Sequence, residues 1–140
     1  QLHGAETPER VKELKAQYGL PVMKVFSIRE AADLAKCVPY LGAADRFMFD
    51  AKAPEGSELP GGNGISFDWQ LLATLDDDID YMLSGGLDPE NVGEALTISG
   101  ARAIDVSSGV ESAPGVKDTN KIAAFLEAAR AADARNGSST

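Results

Sequence analysis

The sequence has 140 residues, 44% of them hydrophobic, and 13 Lys and Arg against 22 Asp and Glu give a formal net charge of −9. That length suits one domain around one core, no apolar run approaches the roughly 20 residues of a bilayer span, and an acidic surface repels phosphate backbones, which argues against nucleic acid as a partner. A single Cys, Cys37, excludes an intramolecular disulfide, and one Cys with one His cannot build a common zinc site; the reading is of a cytoplasmic, metal-free protein.

Residues 1–4 (QLHG) do not resemble a natural start, and Leu2 reads as the end of a strand whose body lies upstream. Thr7-Pro8-Glu9 opens a helix, with Thr as cap, Pro in the first turn and Glu complementing the dipole. Val11, Leu14 and Tyr18 follow at helical spacing, and Gly19 stops the element. Residues 21–26 (PVMKVF) read as a strand, and Ser27 with Glu30 has capping-box form ahead of a helix through Ala31, Ala32, Leu34 and Ala35. A second strand covers 45–50 (DRFMFD), and 51–64 is a long Gly/Pro-rich loop of the kind usually kept for function.

A short helix is expected near 68–72, a third strand at 80–83 ended by Ser84-Gly85-Gly86, and a helix opened by Asp88-Pro89-Glu90 that buries Val92, Ala95 and Leu96. A fourth strand spans 103–106 (AIDV), a loop rich in Ser, Gly and Pro spans 107–117, and Asp118 caps a last helix to about Ala132, leaving 133–140 as a flexible tail. Strand and helix thus alternate over about four βα units in one domain, 1–132, which implies parallel strands with crossover helices. Half a (β/α)8 barrel and a small doubly wound sheet both satisfy that pattern.

Parallel α/β folds bind ligands where their strands end. Gly85 and Gly86 let backbone approach a ligand and turn amides toward an anion, although a tight strand-to-helix turn explains them equally well. Ser107, Ser108 and Gly109 add hydroxyls and a permissive backbone after the next strand, and phosphate-binding barrels favour the loops after their last two strands. Asp50 ends the apolar run Phe47-Met48-Phe49, where a carboxylate can serve as a general acid or cap a nearby amide. His3 lies at a strand end. Cys37 reads as a small buried side chain, Asp76-Asp77-Asp78 as a solvated loop, Trp69 as a core or barrel-mouth anchor, and Glu111 is undecided.

Several runs together resemble one family: Gln1-Leu2-His3-Gly4, Phe49-Asp50-Ala51-Lys52, Pro60-Gly61-Gly62-Asn63-Gly64 with Phe67-Asp68-Trp69, Leu83-Ser84-Gly85-Gly86-Leu87 with Pro89-Glu90-Asn91-Val92, and Val106-Ser107-Ser108-Gly109-Val110-Glu111. Their order and spacing are similar to the C-terminal two-thirds of phosphoribosylanthranilate isomerases, a (β/α)8 TIM-barrel family. The resemblance implies a partial barrel of about four βα units plus the end of a preceding strand. It implies a cofactor-free Amadori rearrangement of N-(5-phosphoribosyl)anthranilate to 1-(2-carboxyphenylamino)-1-deoxyribulose 5-phosphate in tryptophan biosynthesis. Asp50 would be the general acid, Gly85, Gly86, Ser107, Ser108 and Gly109 would hold the phosphate, His3 would lie in the substrate pocket, and 60–64 would flank it. The partner is a small phosphorylated molecule, with no membrane, and the state is monomer or homodimer. The family's general base is a cysteine on the first barrel strand, and Cys37 does not match that motif, so the 140 residues alone are expected to be inactive. Two alternatives remain: a non-catalytic phosphate-binding half-barrel, and another phosphate-binding barrel such as indole-glycerol-phosphate synthase, which would be expected to place catalytic lysines at strand ends, unlike Lys24 and Lys52.

Overall fold

A computed structural model describes residues 1–51, 69–76 and 78–137. The expected loop after Ala51, with Lys52, residues 60–64 and Phe67-Asp68, lies outside the described residues, as do Asp77 and 138–140.

Local caps place the first helix, α1 (Pro8–Tyr18). The Thr7 hydroxyl accepts the Arg10 N–H at 3.1 Å, and Gly19, at φ 63°, ends the helix by donating to the Lys15 carbonyl at 2.9 Å. Val11 is fully buried but Tyr18 is exposed, so the expected apolar stripe stops short of the helix end. Strand β1 (Met23–Ile28) runs two residues beyond its expected end, because Ser27 pairs with Asp50 on the neighbouring strand. Ser27 is therefore no cap. Helix α2 (Ala31–Leu34) is opened by Asp33, whose carboxylate accepts the Arg29 and Glu30 N–H groups at 2.8 and 3.2 Å, and a 3₁₀ helix (Ala35–Tyr40) follows.

Next come β2 (Arg46–Ala51), α3 (Gln70–Ala73), β3 (Tyr81–Ser84) and α4 (Val92–Ser99). Asp88 does not cap α4 directly. It forms an Asx turn with the N–H groups of Glu90 and Asn91, both at 2.9 Å, and the helix starts after Asn91. The expected fourth strand reduces to a bridge between Ile104 and Leu83. Within 107–117 the structure holds a 3₁₀ turn (Ser108–Val110) and an antiparallel hairpin of β4 (Glu111–Ala113) and β5 (Val116–Lys117), where a plain loop was expected. Pro114 followed by Gly115 at φ 80° is the chemistry of a type II turn. Asp118 accepts the Asn120 and Lys121 N–H groups ahead of α5 (Thr119–Gly137), which outruns its expected end and carries a fully buried Ala132 into the core. The expected tail from 133 thus begins inside a helix.

The sheet is parallel and keeps chain order, β1-β2-β3, with Leu2 bridged to Lys24 on one flank and Ile104 to Leu83 on the other. A doubly wound sheet reverses its order at a switch point; this one does not. One apolar cluster joins a single face of the sheet (Phe26, Ile28, Phe47, Phe49, Leu83) to helical residues including Leu72, Val92 and Phe125. Burying each such side chain contributes about 1.5–3 kcal/mol. Since strand side chains alternate, Val25, Met48, Asp50 and Ser84 face the other way.

Candidate functional site

The C-terminal strand ends form a polar row on the face away from the helices. Ser27 pairs with Asp50, Asp50 with Ser84, and Asp105 follows the bridge residue Ile104 beside Ser84. The Ser84 hydroxyl lies 3.4 Å from the Asp105 carboxylate, the loose limit of a hydrogen bond. One layer deeper the same face is apolar, with Met48 buried beneath Asp50.

Asp50 is half-buried and meets the glycine loop directly. Gly85 sits at φ 92°, and a Cβ there would collide with the Asp50 carboxylate and with the Ala51 backbone. Gly86, at φ 66°, has open space around it, and its carbonyl accepts the Asn91 amide at 2.8 Å. The serine loop packs against the glycine loop: a Cβ on Gly109 would overlap the Leu87 carbonyl and lie 3.2 Å from the Asp88 Cα. Close backbone contact at two glycines thus brings Asp50, Gly85, Gly86 and Gly109 together, with Ser107 and Ser108 exposed beside them.

Lys117 was missed by sequence reasoning, because its place depends on the hairpin. Its ammonium donates to the Ser107 carbonyl at 2.8 Å and to the Ser107 hydroxyl at 3.1 Å, and it pairs with Glu111 at 2.6 Å. A cation therefore backs the serine loop, and the Ser107 hydroxyl keeps its own proton for donation. The Lys117 hydrogen bond, then the Gly115 N–H, hold the Glu111 carboxyl below the usual range against the opposing effect of burial. Asp105 was also missed, although a carboxylate inside the AIDV run, two residues before Ser107, was the available signal.

His3 stands on the opposite flank of the sheet. It is exposed, its Nε2 is 3.0 Å from the Gln1 side-chain oxygen, and no hydrogen bond among the described residues links it to the loops. Cys37 is buried and burial pushes its thiol up, so it offers no ready thiolate. Trp69 belongs to the core. Among the described residues no three His, Cys, Asp or Glu side chains are disposed to hold a metal ion, and no helix is long and apolar enough to cross a membrane. A cavity of about 380 Å³ lies at the N-terminal ends of the strands, beside Asp80, Tyr81, Ser99 and Arg102. That end of a barrel serves stability more than chemistry, so it is not the site.

A parallel sheet in chain order, helices on one face, and a carboxylate beside Gly- and Ser-rich loops at the C-terminal rim define an α/β protein of the TIM-barrel type. The comparisons agree. Residues 1–128 match the N-(5'-phosphoribosyl)anthranilate (PRA) isomerase family, and the chain belongs to it. It is similar to the N-(5'-phosphoribosyl)anthranilate isomerase of Sinorhizobium fredii, at 66% identity over 100% of this chain and 64% of that protein. The same enzyme of Brucella canis is 67% identical over 96% of this chain and 61% of its own length. The chain thus spans a little under two thirds of these relatives. Phosphoribosyl anthranilate isomerase from Thermotoga maritima superposes with a TM-score of 0.78 at 36% identity, covering 94% of this chain and 60% of that one. A phosphoribosyl anthranilate isomerase solved in complex with reduced 1-(o-carboxyphenylamino)-1-deoxyribulose 5-phosphate superposes with a TM-score of 0.75 at 31% identity, covering 94% of this chain and 58% of that one. The family match sets aside indole-glycerol-phosphate synthase, and Lys24 agrees, being buried away from the rim.

Proposed function

We propose that the protein is a phosphoribosylanthranilate isomerase of tryptophan biosynthesis, converting N-(5-phosphoribosyl)anthranilate into 1-(2-carboxyphenylamino)-1-deoxyribulose 5-phosphate without a cofactor. The observation that carries this reading is the Asp50 carboxylate packed on Gly85, with the serine loop packed on the glycine loop. A phosphate held by the amides and hydroxyls of Gly85, Gly86, Ser107, Ser108 and Gly109 presents its sugar ring to Asp50. The protonated Asp50 gives its proton to the ring oxygen as the C1–O bond breaks, and the anilino nitrogen's lone pair closes the C1=N bond of a Schiff base. A base then takes the C2 proton, the C–H electron pair forms the C1=C2 bond as the C1=N π pair returns to the anilino nitrogen, and tautomerisation of the resulting enolamine gives the ketone. His3 borders the pocket.

In this reading residues 1–132 supply about four βα units of a (β/α)8 barrel plus the end of a preceding strand. The base is the family's cysteine on the first barrel strand, in the part of the relatives' length that this chain does not span. Cys37 cannot replace it. The protein is cytoplasmic, and as monomer or homodimer it needs only its phosphorylated substrate. In the complete protein, Asp50→Asn should lower turnover by about 10²–10⁴-fold with substrate binding kept within a few-fold. A rate within a few-fold of the parent removes Asp50 as the acid. The 140 residues alone should give little or no turnover, and near-complete activity would defeat the assignment of the base.

A further inference from the structure

Lys24 is one of the most buried charged residues in the protein, at 3% exposure, and the mechanism above does not use it. It lies on the helix-facing side of β1, so its charge cannot reach the rim directly. Its ammonium donates to the Gly4 carbonyl at 2.8 Å and, more weakly, to the Leu2 and Val25 carbonyls at 3.4 Å. It pairs with Glu6 at 3.3 Å and lies over the rings of Phe26 and Tyr40, 5.4 and 5.7 Å from their centroids. The Glu6 carboxylate in turn accepts the Gly4 N–H at 3.2 Å, and the Tyr40 hydroxyl donates to the Glu6 carbonyl. A buried ammonium is tolerated only with oxygen partners, and all but one of these come from residues 2–6. Displacing that segment would strand the charge.

His3 is bracketed by the two carbonyls, Leu2 and Gly4, that this ammonium grips, while its ring is exposed. We infer that Lys24 is a positioning residue for the substrate pocket, latching the backbone on both sides of His3 and so setting where the imidazole meets substrate. The inference rests on the proposed function. It adds to that reading a device on the far face of the sheet that holds one wall of the pocket.

The test measures, in the complete protein, the affinity for two probes: inorganic phosphate, and the reduced analogue of 1-(2-carboxyphenylamino)-1-deoxyribulose 5-phosphate. His3→Ala in the parent should weaken the analogue about 10-fold. Lys24→Met should weaken it about as much and leave phosphate within 2-fold, and adding His3→Ala to Lys24→Met should cost less than a further 2-fold, since the ring is already misplaced. Lys24→Arg, which keeps a cation, should recover part of the loss. Glu6→Gln, which loosens the latch while leaving the ammonium, should weaken the analogue about 3-fold and decides the matter if Lys24→Met does not fold. Analogue binding unchanged in the variants, losses that simply multiply with His3→Ala, or a parallel loss of phosphate would each overturn the inference while leaving the proposed function standing. A parent that binds neither probe would remove the proposed function itself, and this inference with it.

Discussion

Replacing Gly85 and Gly86 in turn by alanine separates two demands that their sequence neighbours do not distinguish. Both sit at positive φ, 92° and 66°. An L-residue there costs roughly 1–2 kcal/mol, offset by the ~0.4–1 kcal/mol that alanine gains by restricting the unfolded chain. Gly86→Ala, with nothing within 4 Å of the new methyl, should therefore destabilise by no more than about 1.5 kcal/mol. At Gly85 the methyl also meets the Asp50 carboxylate and the Ala51 backbone, whose nitrogen lies 2.7 Å away. Overpacking of this kind adds about 1–3 kcal/mol, and backbone atoms cannot swing aside as a side-chain end can. Urea unfolding of both variants, with unchanged denaturant slopes as the check on two-state behaviour, should place Gly85→Ala about 1–3 kcal/mol below Gly86→Ala. Equal destabilisation within 0.5 kcal/mol would refute the close approach of the glycine loop to Asp50.

Asp105→Asn removes a carboxylate from the same rim. If it bonds the sugar hydroxyls between phosphate and reacting carbon, kcat/KM should fall roughly 10- to 100-fold, the worth of a charged hydrogen bond, and a steady-state rate within 3-fold of the parent would count against it. Asp33 supplies a pH test: the Lys36 ammonium, then the Arg29 N–H, hold its carboxyl below the usual range. A carboxyl depressed in the folded state stabilises fully above its unfolded value, about pH 4, and loses that contribution as pH falls through the lower folded value. The urea midpoint should drop on acidification below about pH 4, and Asp33→Asn should flatten that drop; parallel slopes would contradict the assignment.

How much of this was legible beforehand follows the range of each interaction. The ends of α1 were readable because Thr7 and Gly19 act within four residues of what they cap. Ser27 misled for the opposite reason. Its spacing to Glu30 fits a capping box, but pairing with Asp50, far along the chain, keeps it in β1. The hairpin after Ser108 was hidden in a stretch whose composition reads as loop, and Lys117 went with it. Glycines 85 and 109 could be called permissive from sequence, but that each admits a neighbouring backbone, Ala51 in one case and Leu87 in the other, needed coordinates. Lys24 reads as an ordinary strand residue until the carbonyls of residues 2 and 4 are seen to surround it.

The most direct measurement is a crystal structure of the complete protein with the reduced product analogue bound. The phosphate should lie on the amides of Gly86 and Ser108, with the Asp50 carboxylate within hydrogen-bond reach of the oxygen that was the ring oxygen of the substrate. A phosphate bound elsewhere, or a sugar chain leading away from Asp50, would contradict the proposed function.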